Sequence, residues 1–165
     1  GPASSSGDVK YMLLIASSAL VSDNTGEFSS LFYDTLPTSS VFTVGNASTV
    51  NRASTGTYIA YLFATLPGIS KVGSYTGTGA SQDIDCGFSN GARFVLLKET
   101  NGTSSWIVLD SERGINAGND PILSLNNTNA EYSGDDYIDP LSSGFTLAGT
   151  PFNGTGEEYI FLAIA

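Results

Sequence analysis

The sequence has no histidine, a single cysteine and few charges, 13% of residues. Without histidine there is no Ser-His-Asp or Cys-His nucleophile system, and most zinc and non-haem iron sites are excluded. The lone Cys86 excludes an internal disulfide framework and thiolate clusters. It reads as a small buried hydrophobe. Basic residues are scarce: six Lys and Arg face sixteen Asp and Glu, for a net charge of −10. That balance argues against nucleic acid, which needs a basic surface, and against anionic membrane surfaces. No apolar run approaches the roughly 20 residues of a membrane-spanning helix, and no membrane insertion is expected. No signal-peptide pattern is visible. The scarcity of Lys, Glu, Gln and Arg also argues against long helices.

What is present is a chain of 165 residues, enough for one or two compact domains with a real core. Ser, Thr, Asn and Gly supply 69 of these residues, so the polar surface is built from hydroxyls and amides. Hydrophobic residues reach 41%, too many for a disordered acidic tail. Thr, Tyr, Phe and Val are plentiful and favour strands. Residues 1–8, opening Gly1-Pro2-Ala3-Ser4-Ser5-Ser6-Gly7, read as a cleavage scar and linker. The chain is therefore expected to be a fragment of a longer protein. Charge is uneven: residues 1–80 carry a net −1 and residues 81–165 a net −9. The acidic half reads as a solvated face, or else as a cation site or a repulsive, solubilising surface.

The best internal signal is a degenerate repeat. Residues 39–64, SSVFTVGNASTVNRASTGTYIAYLFA, parallel residues 142–165, SSGFTLAGTPFNGTGEEYIFLAIA. Upstream, VKYMLL at 9–14 parallels ARFVLL at 92–97. Two β units are expected: a shortened one over 9–66, and a second over 67–165 that includes the connecting segment. In that segment Ile69, Val72, Tyr75, Ile84, Cys86 and Phe88 offer apolar residues to bury. TYIAYLFA and EYIFLAIA are apolar at nearly every position, which predicts strands covered on both faces by another layer or a neighbouring chain. RFVLLKET-NG-TSSWIVLD predicts a hairpin with a type I′ turn at Asn101-Gly102, Leu97 facing Trp106 and Val95 facing Val108.

The polar stretch 116–140 carries the candidate site. Tyr132 and Tyr137, with Asn126, Asn129, Asp135 and Asp136, are the residue types that bind polyhydroxylated ligands: ring faces stack, and amides and carboxylates take hydroxyls. Trp106 reads as core rather than as a stacking platform. Asp135, Asp136 and Asp139 offer hard oxygen ligands for calcium, but they lack the spacing of a calcium loop, and capping of turns explains them as well. No other cofactor is expected. Paired carboxylates for glycoside hydrolysis are available in Glu157, Glu158, Asp110 and Glu112. In a strand, however, Glu157 and Glu158 point to opposite faces. Arg113 reads as an ion-pair partner of Asp110 or Glu112. The sequons at Asn46, Asn101, Asn126 and Asn153 carry little weight in so Ser/Thr-rich a chain. No Walker, Rossmann or deaminase motif is present.

An ordered string of landmarks runs over residues 9–165: Pro67-Gly68-x-Ser70-Lys71, Gly73-Ser74-Tyr75-Thr76-Gly77, Cys86-Gly87-Phe88, the Lys98…Trp106 hairpin, Asp110-Ser111-x-Arg113-Gly114 and the Tyr159-Ile160 terminal strand. In this string the chain resembles a repeated domain of tailed-bacteriophage virion proteins, common in tail-fibre-like proteins of phages infecting marine bacteria. The first unit departs from the pattern, lacking the Trp hairpin and the Asp-Ser-x-Arg-Gly turn. The expectation is an all-β protein of antiparallel, jelly-roll-like β-sandwich units in two degenerate repeats. The resemblance implies a virion location in a tail fibre, or otherwise an extracellular one. It also implies a non-enzymatic adhesin or structural module meeting a host cell-surface glycan or protein, and a homo-oligomer, commonly a trimer in such fibres. The rival readings are a purely structural virion domain, a carbohydrate-binding module of a secreted bacterial protein, and a depolymerase.

Overall fold

The computed structural model describes residues 10–11, 21–22, 31, 33, 35, 38, 40–53 and 56–165. The chain divides into two compact units, one drawn from residues 1–12 and 20–61, the other from 13–19 and 62–165.

In the first unit, β1 (Lys10–Tyr11) pairs antiparallel with β2 (Val21–Ser22). The rest of VKYMLL lies outside the described residues. Residues 41–50 form no strand; they are held by turns such as Val50 N–H and Asn51 N–H donating to Ala47 C=O. The Tyr58 hydroxyl donates to Ser48 C=O at 2.7 Å and accepts from Arg52 N–H at 2.8 Å.

The second unit holds β3 (Ser70–Thr76), β4 (Gln82–Asp85), β5 (Phe94–Glu99), β6 (Ile107–Asp110), β7 (Leu123–Ser124), β8 (Ile138–Leu141), β9 (Gly144–Leu147) and β10 (Glu158–Ile164). A five-stranded sheet runs β3-β10-β5-β6-β7 and a three-stranded sheet runs β4-β9-β8, every pair antiparallel. The first of these strands pairs with the last (β3 with β10), and the second with the second-last (β4 with β9). This nested wrapping gives the expected two-sheet, all-antiparallel sandwich. Pro140 is tolerated because β8 is an edge strand.

The core fills the space between the sheets. Val95, Leu97, Ile107, Leu109, Tyr159, Phe161 and Ala163 come from the larger sheet, and Ile84, Ile138, Phe145 and Leu147 from the smaller. Phe145 meets Phe161 edge-on at 5.6 Å, so the two rings join the sheets. Full burial of such a side chain stabilises by roughly 1.5–3 kcal/mol. The Phe161 ring lies over Gly73, where a Cβ would come within 2.7 Å of it. Tyr75 and Tyr159 stack at 4.9 Å, and the Tyr75 hydroxyl donates to Phe152 C=O at 2.7 Å. The other face of the larger sheet carries an aliphatic row across all five strands: Val72, Leu162, Leu96, Val108 and Leu123 stand in register. A strand apolar on both faces is what EYIFLAIA predicted.

Its counterpart behaves differently. Residues 57–64 form no strand, and Tyr58, Ile59, Tyr61, Leu62 and Phe63 are exposed. Phe42 is likewise exposed, whereas its sequence counterpart Phe145 is fully buried in β9. The likeness of the two stretches is thus not matched by a likeness of fold among the described residues. The physical reason is partnership: β10 lies between β3 and β5, while among the described residues no strand pairs with TYIAYLFA, and strand propensity alone does not hold a strand.

The β5–β6 hairpin also differs from expectation. Leu97 faces Ile107 and Val95 faces Leu109, a shift of one residue, and residues 100–106 form a longer connection. Asn101 is drawn away from a tight turn: its Nδ2 donates to Gly156 C=O at 3.1 Å and its Oδ1 accepts from Glu158 N–H at 2.8 Å. Gly102 does not have positive φ, so no type I′ turn forms. Gly144 has no room for a side chain, since a Cβ there would fall 2.0 Å from Ile84 C=O and 3.0 Å from Cys86 N. Gly144→Ala is expected to destabilise by about 2 kcal/mol or more. Gly102→Ala, which meets only the movable end of Glu99, should stay within about 0.5 kcal/mol. Thermal unfolding of the two variants checks the contrast.

Cys86 is buried in the core, and burial pushes its thiol up to about 11 from an ordinary 9.0. The folded state therefore keeps the proton that the unfolded chain releases. Stability from this group is complete below pH 9 and declines as pH rises from 9 towards 11. Cys86→Ala should flatten the melting curve's pH dependence in that window, and the folded wild type should react slowly with a thiol reagent at neutral pH.

Candidate functional site

Between β6 and β8 the chain makes its longest polar excursion, broken only by the two residues of β7. It begins with an Asp-capped turn: Asp110 Oδ1 accepts from Glu112 N–H at 3.1 Å and Arg113 N–H at 2.9 Å. The Arg113 guanidinium pairs with Asp110 through Nη1 and with Glu131 through Nε at 3.2 Å. Burial alone would raise the Asp110 carboxyl, but the bonds from Arg113 outweigh it and hold it below the usual carboxylate range. Glu112 pairs instead with Arg93, at 3.5 Å between two exposed side chains.

The excursion is anchored by Asp120, which is fully buried. Its Oδ1 accepts from Asn116 N–H at 3.0 Å, and its Oδ2 from Tyr137 N–H at 3.0 Å and Ile138 N–H at 2.9 Å. One carboxylate thereby ties the start of the loop to the start of β8. The two limbs are stitched further by Asp120 N–H to Asp135 C=O at 2.9 Å, Asn119 Nδ2 to Gly134 C=O at 2.9 Å, and the reciprocal Ile122–Tyr132 bridge. Asp120, in GNDP, is one of the acids for which the sequence offers turn capping or cation binding, and it caps. Its position before Pro121 was the available signal.

The structure separates the expected site residues. Tyr132 is 51% exposed, and its ring lies against Gly134. A hydrogen bond to Asp135 and that carboxylate's charge raise the Tyr132 hydroxyl above its ordinary value. Tyr137 was expected to face solvent beside it but is a core residue, 6% exposed and stacked on Phe152 at 4.9 Å. It has this place because it alternates with Asp136 on entering β8, and its hydroxyl reaches Asp135 Oδ2 at 3.3 Å. Burial pushes that hydroxyl up to about 12. Asn126 and Asn129 sit at the other end of the excursion. Asn126 Oδ1 caps Trp106 N–H at 2.9 Å, and Asn129 N–H donates to Asn127 Oδ1 at 2.9 Å. Trp106 is half-buried and lies outside the core cluster.

For calcium, Asp135, Asp136 and Asp139 do not converge. No group of three His, Cys, Asp or Glu able to hold a metal ion occurs among the described residues. Burial, then the charges of Asp139 and Asp120, raise the Asp136 carboxyl. Asp139 stands in β8, paired with Thr146. Glu157 lies just before β10 and accepts from the Tyr159 hydroxyl, while Glu158, the first residue of β10, is exposed. Asn153 is fully buried, bonded to Thr78 N–H and Ala80 C=O, so its sequon is closed to modification in the folded protein.

What the arrangement presents to solvent is a compact group: Arg113, Glu131, Tyr132 and Asp135, on a loop tied down at both ends. It offers a ring face, a guanidinium and two carboxylates, the groups that bind a polar, hydroxyl-rich ligand.

The fold and this loop define an antiparallel β-sandwich with an elaborated polar loop. Residues 8–165 match the model of a family described as a domain of unknown function, DUF7483, and the chain belongs to that family. No curated protein and no solved structure matches the chain.

Replacing Asp120 leaves three N–H groups without their acceptor. Asp120→Ala is expected to destabilise by about 2–4 kcal/mol. Asp120→Asn should also be costly, because its amide would face donors. Chemical denaturation checks both, and wild-type stability in Asp120→Asn would show that the carboxylate is not the tie.

Proposed function

We propose that this domain is a non-enzymatic module of a phage tail fibre that contacts the host surface, binding a cell-surface glycan or protein through the loop bearing Tyr132. The observation that carries the binding part is the tethered, exposed Tyr132. A long loop secured by a buried carboxylate holds an aromatic ring outside the protein, beside Asp135, Glu131 and Arg113. A ring held this way loses little freedom when a ligand stacks on it. The assignment to a fibre, and with it a virion location, is supported by the landmark string over residues 9–165. The rival is a carbohydrate-binding module of a secreted bacterial protein, which shares the glycan chemistry and differs in the carrier.

The experiment is binding of the labelled protein to a panel of bacterial cells and to a glycan array. Tyr132→Ala, at a site where the side chain is half exposed, should keep the fold and weaken binding by about tenfold or more, the equivalent of 1.4 kcal/mol. Tyr132→Phe should retain most of it if the ring face makes the contact. Undiminished binding by Tyr132→Ala rejects this loop as the site. Binding to the array but to no cell favours the secreted module.

A further inference from the structure

Part of the outer edge of β3 has no partner among the described residues. Ile69 C=O and Gly77 N–H point to β10, accepting from Ala165 N–H at 2.9 Å and donating to Glu157 C=O at 2.8 Å. The even-numbered residues therefore point the other way. Ser70 exchanges both of its backbone bonds with Leu66, and Val72 N–H and C=O are met by the Thr65 hydroxyl at 3.1 and 3.3 Å. That leaves the N–H and C=O groups of Ser74 and Thr76 without a partner among the described residues. Beside them Leu62, Phe63, Leu66, Ile69 and Val72 are exposed, an apolar patch on the same unit. An open edge with such a patch is a pairing surface unless something blunts it, and the usual devices are a charge, a proline or a bulge in the strand. β3 has neither proline nor acid, and its one charge, Lys71, is on the side of the strand that faces the other sheet, with Gly73 and Tyr75.

Charge singles out the occupant. Residues 62–82, the part of this unit that holds β3, contain one charged residue, Lys71, in a chain of net charge −10. Two copies of this chain repel each other over their acidic surfaces, and this stretch is where they can meet without opposing acids. The register is also self-complementary. Around a two-fold axis at Tyr75, Ser74 of one copy faces Thr76 of the other, and the two outward pairs can exchange four backbone hydrogen bonds without displacing the Thr65 hydroxyl.

We propose that two copies of this chain join through the open edge of β3, extending the five-stranded sheet across a two-fold axis with the Leu62–Val72 apolar patch at its side. The interface is independent of the glycan-binding loop.

Sedimentation velocity and light scattering of the intact chain across a concentration series test it. The expected result is a concentration-dependent dimer that strengthens with added salt, because salt screens the acidic repulsion. Thr76→Pro removes an N–H that the single chain does not use and should weaken the dimer about tenfold or more. Val72→Glu, an exposed substitution, should do the same and guards against a proline variant that fails to fold. Far-UV circular dichroism confirms that each variant keeps its sheets. A monomer at every concentration, a trimer, or a dimer indifferent to both substitutions overturns the proposal.

Discussion

The second unit depends on β10 taking its place between β3 and β5. These seven residues pair with β3 through Glu158↔Thr76 to Ile164↔Ser70, and with β5 through Tyr159↔Glu99 to Ile164↔Phe94. They also carry the ring that meets Phe145 in the opposite sheet. Until β10 is in place, β3 has no neighbour within its own sheet and the Phe161 contact between the sheets is missing. The partners are far apart in sequence, so the loop-closure entropy is lost before the burial is gained. The apolar character of β10 on both faces compensates for this, and it explains why the least interrupted hydrophobic run of the unit is an internal strand paired on both sides.

This constraint also explains what could be read from the sequence. Strand content, buried Cys86 and the apolar terminal strand all follow from local composition and alternation, and each is visible in a single stretch of chain, whereas the sandwich was expected with the landmark string. The failures are those in which a distant partner decides. Asn101-Gly102 has the local form of a tight turn, but residues 156–158 capture the Asn101 side chain, and the hairpin slips by one residue. Residues 57–64 have the composition of β10 without its neighbours. Tyr137 sits in a polar stretch yet is drawn into the core because the residue after it, Ile138, opens a strand. The exposed half of the candidate site was legible at Tyr132 and Asp135. The pairing of Arg113 with Glu131 was not, since it joins residues separated by most of the excursion.

A chain rich in Ser, Thr, Asn and Gly and poor in helix has many backbone groups that no regular ladder satisfies. Here short side chains satisfy them. Asp110, Asp120, Asn126, Asn153 and Thr65 each replace a missing backbone partner. Much of the polar character that looks like ligand-binding capacity in the sequence is thus spent inside the fold. The same accounting reduces the acidic half of the chain as a cation site: Asp85, Asp110 and Asp120 accept backbone N–H groups of their own turns and loops. What remains exposed and unspent marks the surface more sharply than composition does.

Those remaining features lie at opposite edges of one sheet. The order β3-β10-β5-β6-β7 places the open edge at β3, whereas the excursion that carries Tyr132 leaves the sheet at β7. A pair of chains joined at β3 therefore keeps its two loops at the outer edges of a continuous sheet, clear of the joint. Loops that bind a surface glycan weakly gain from this arrangement, because the second loop binds at the high effective concentration set by the first. The acidic loops stay apart from each other, and the neutral edge does the joining. Charge placement along this unit, nearly neutral over residues 62–82 and acidic beyond, thus follows the division between a surface suited to self-contact and a surface suited to other ligands.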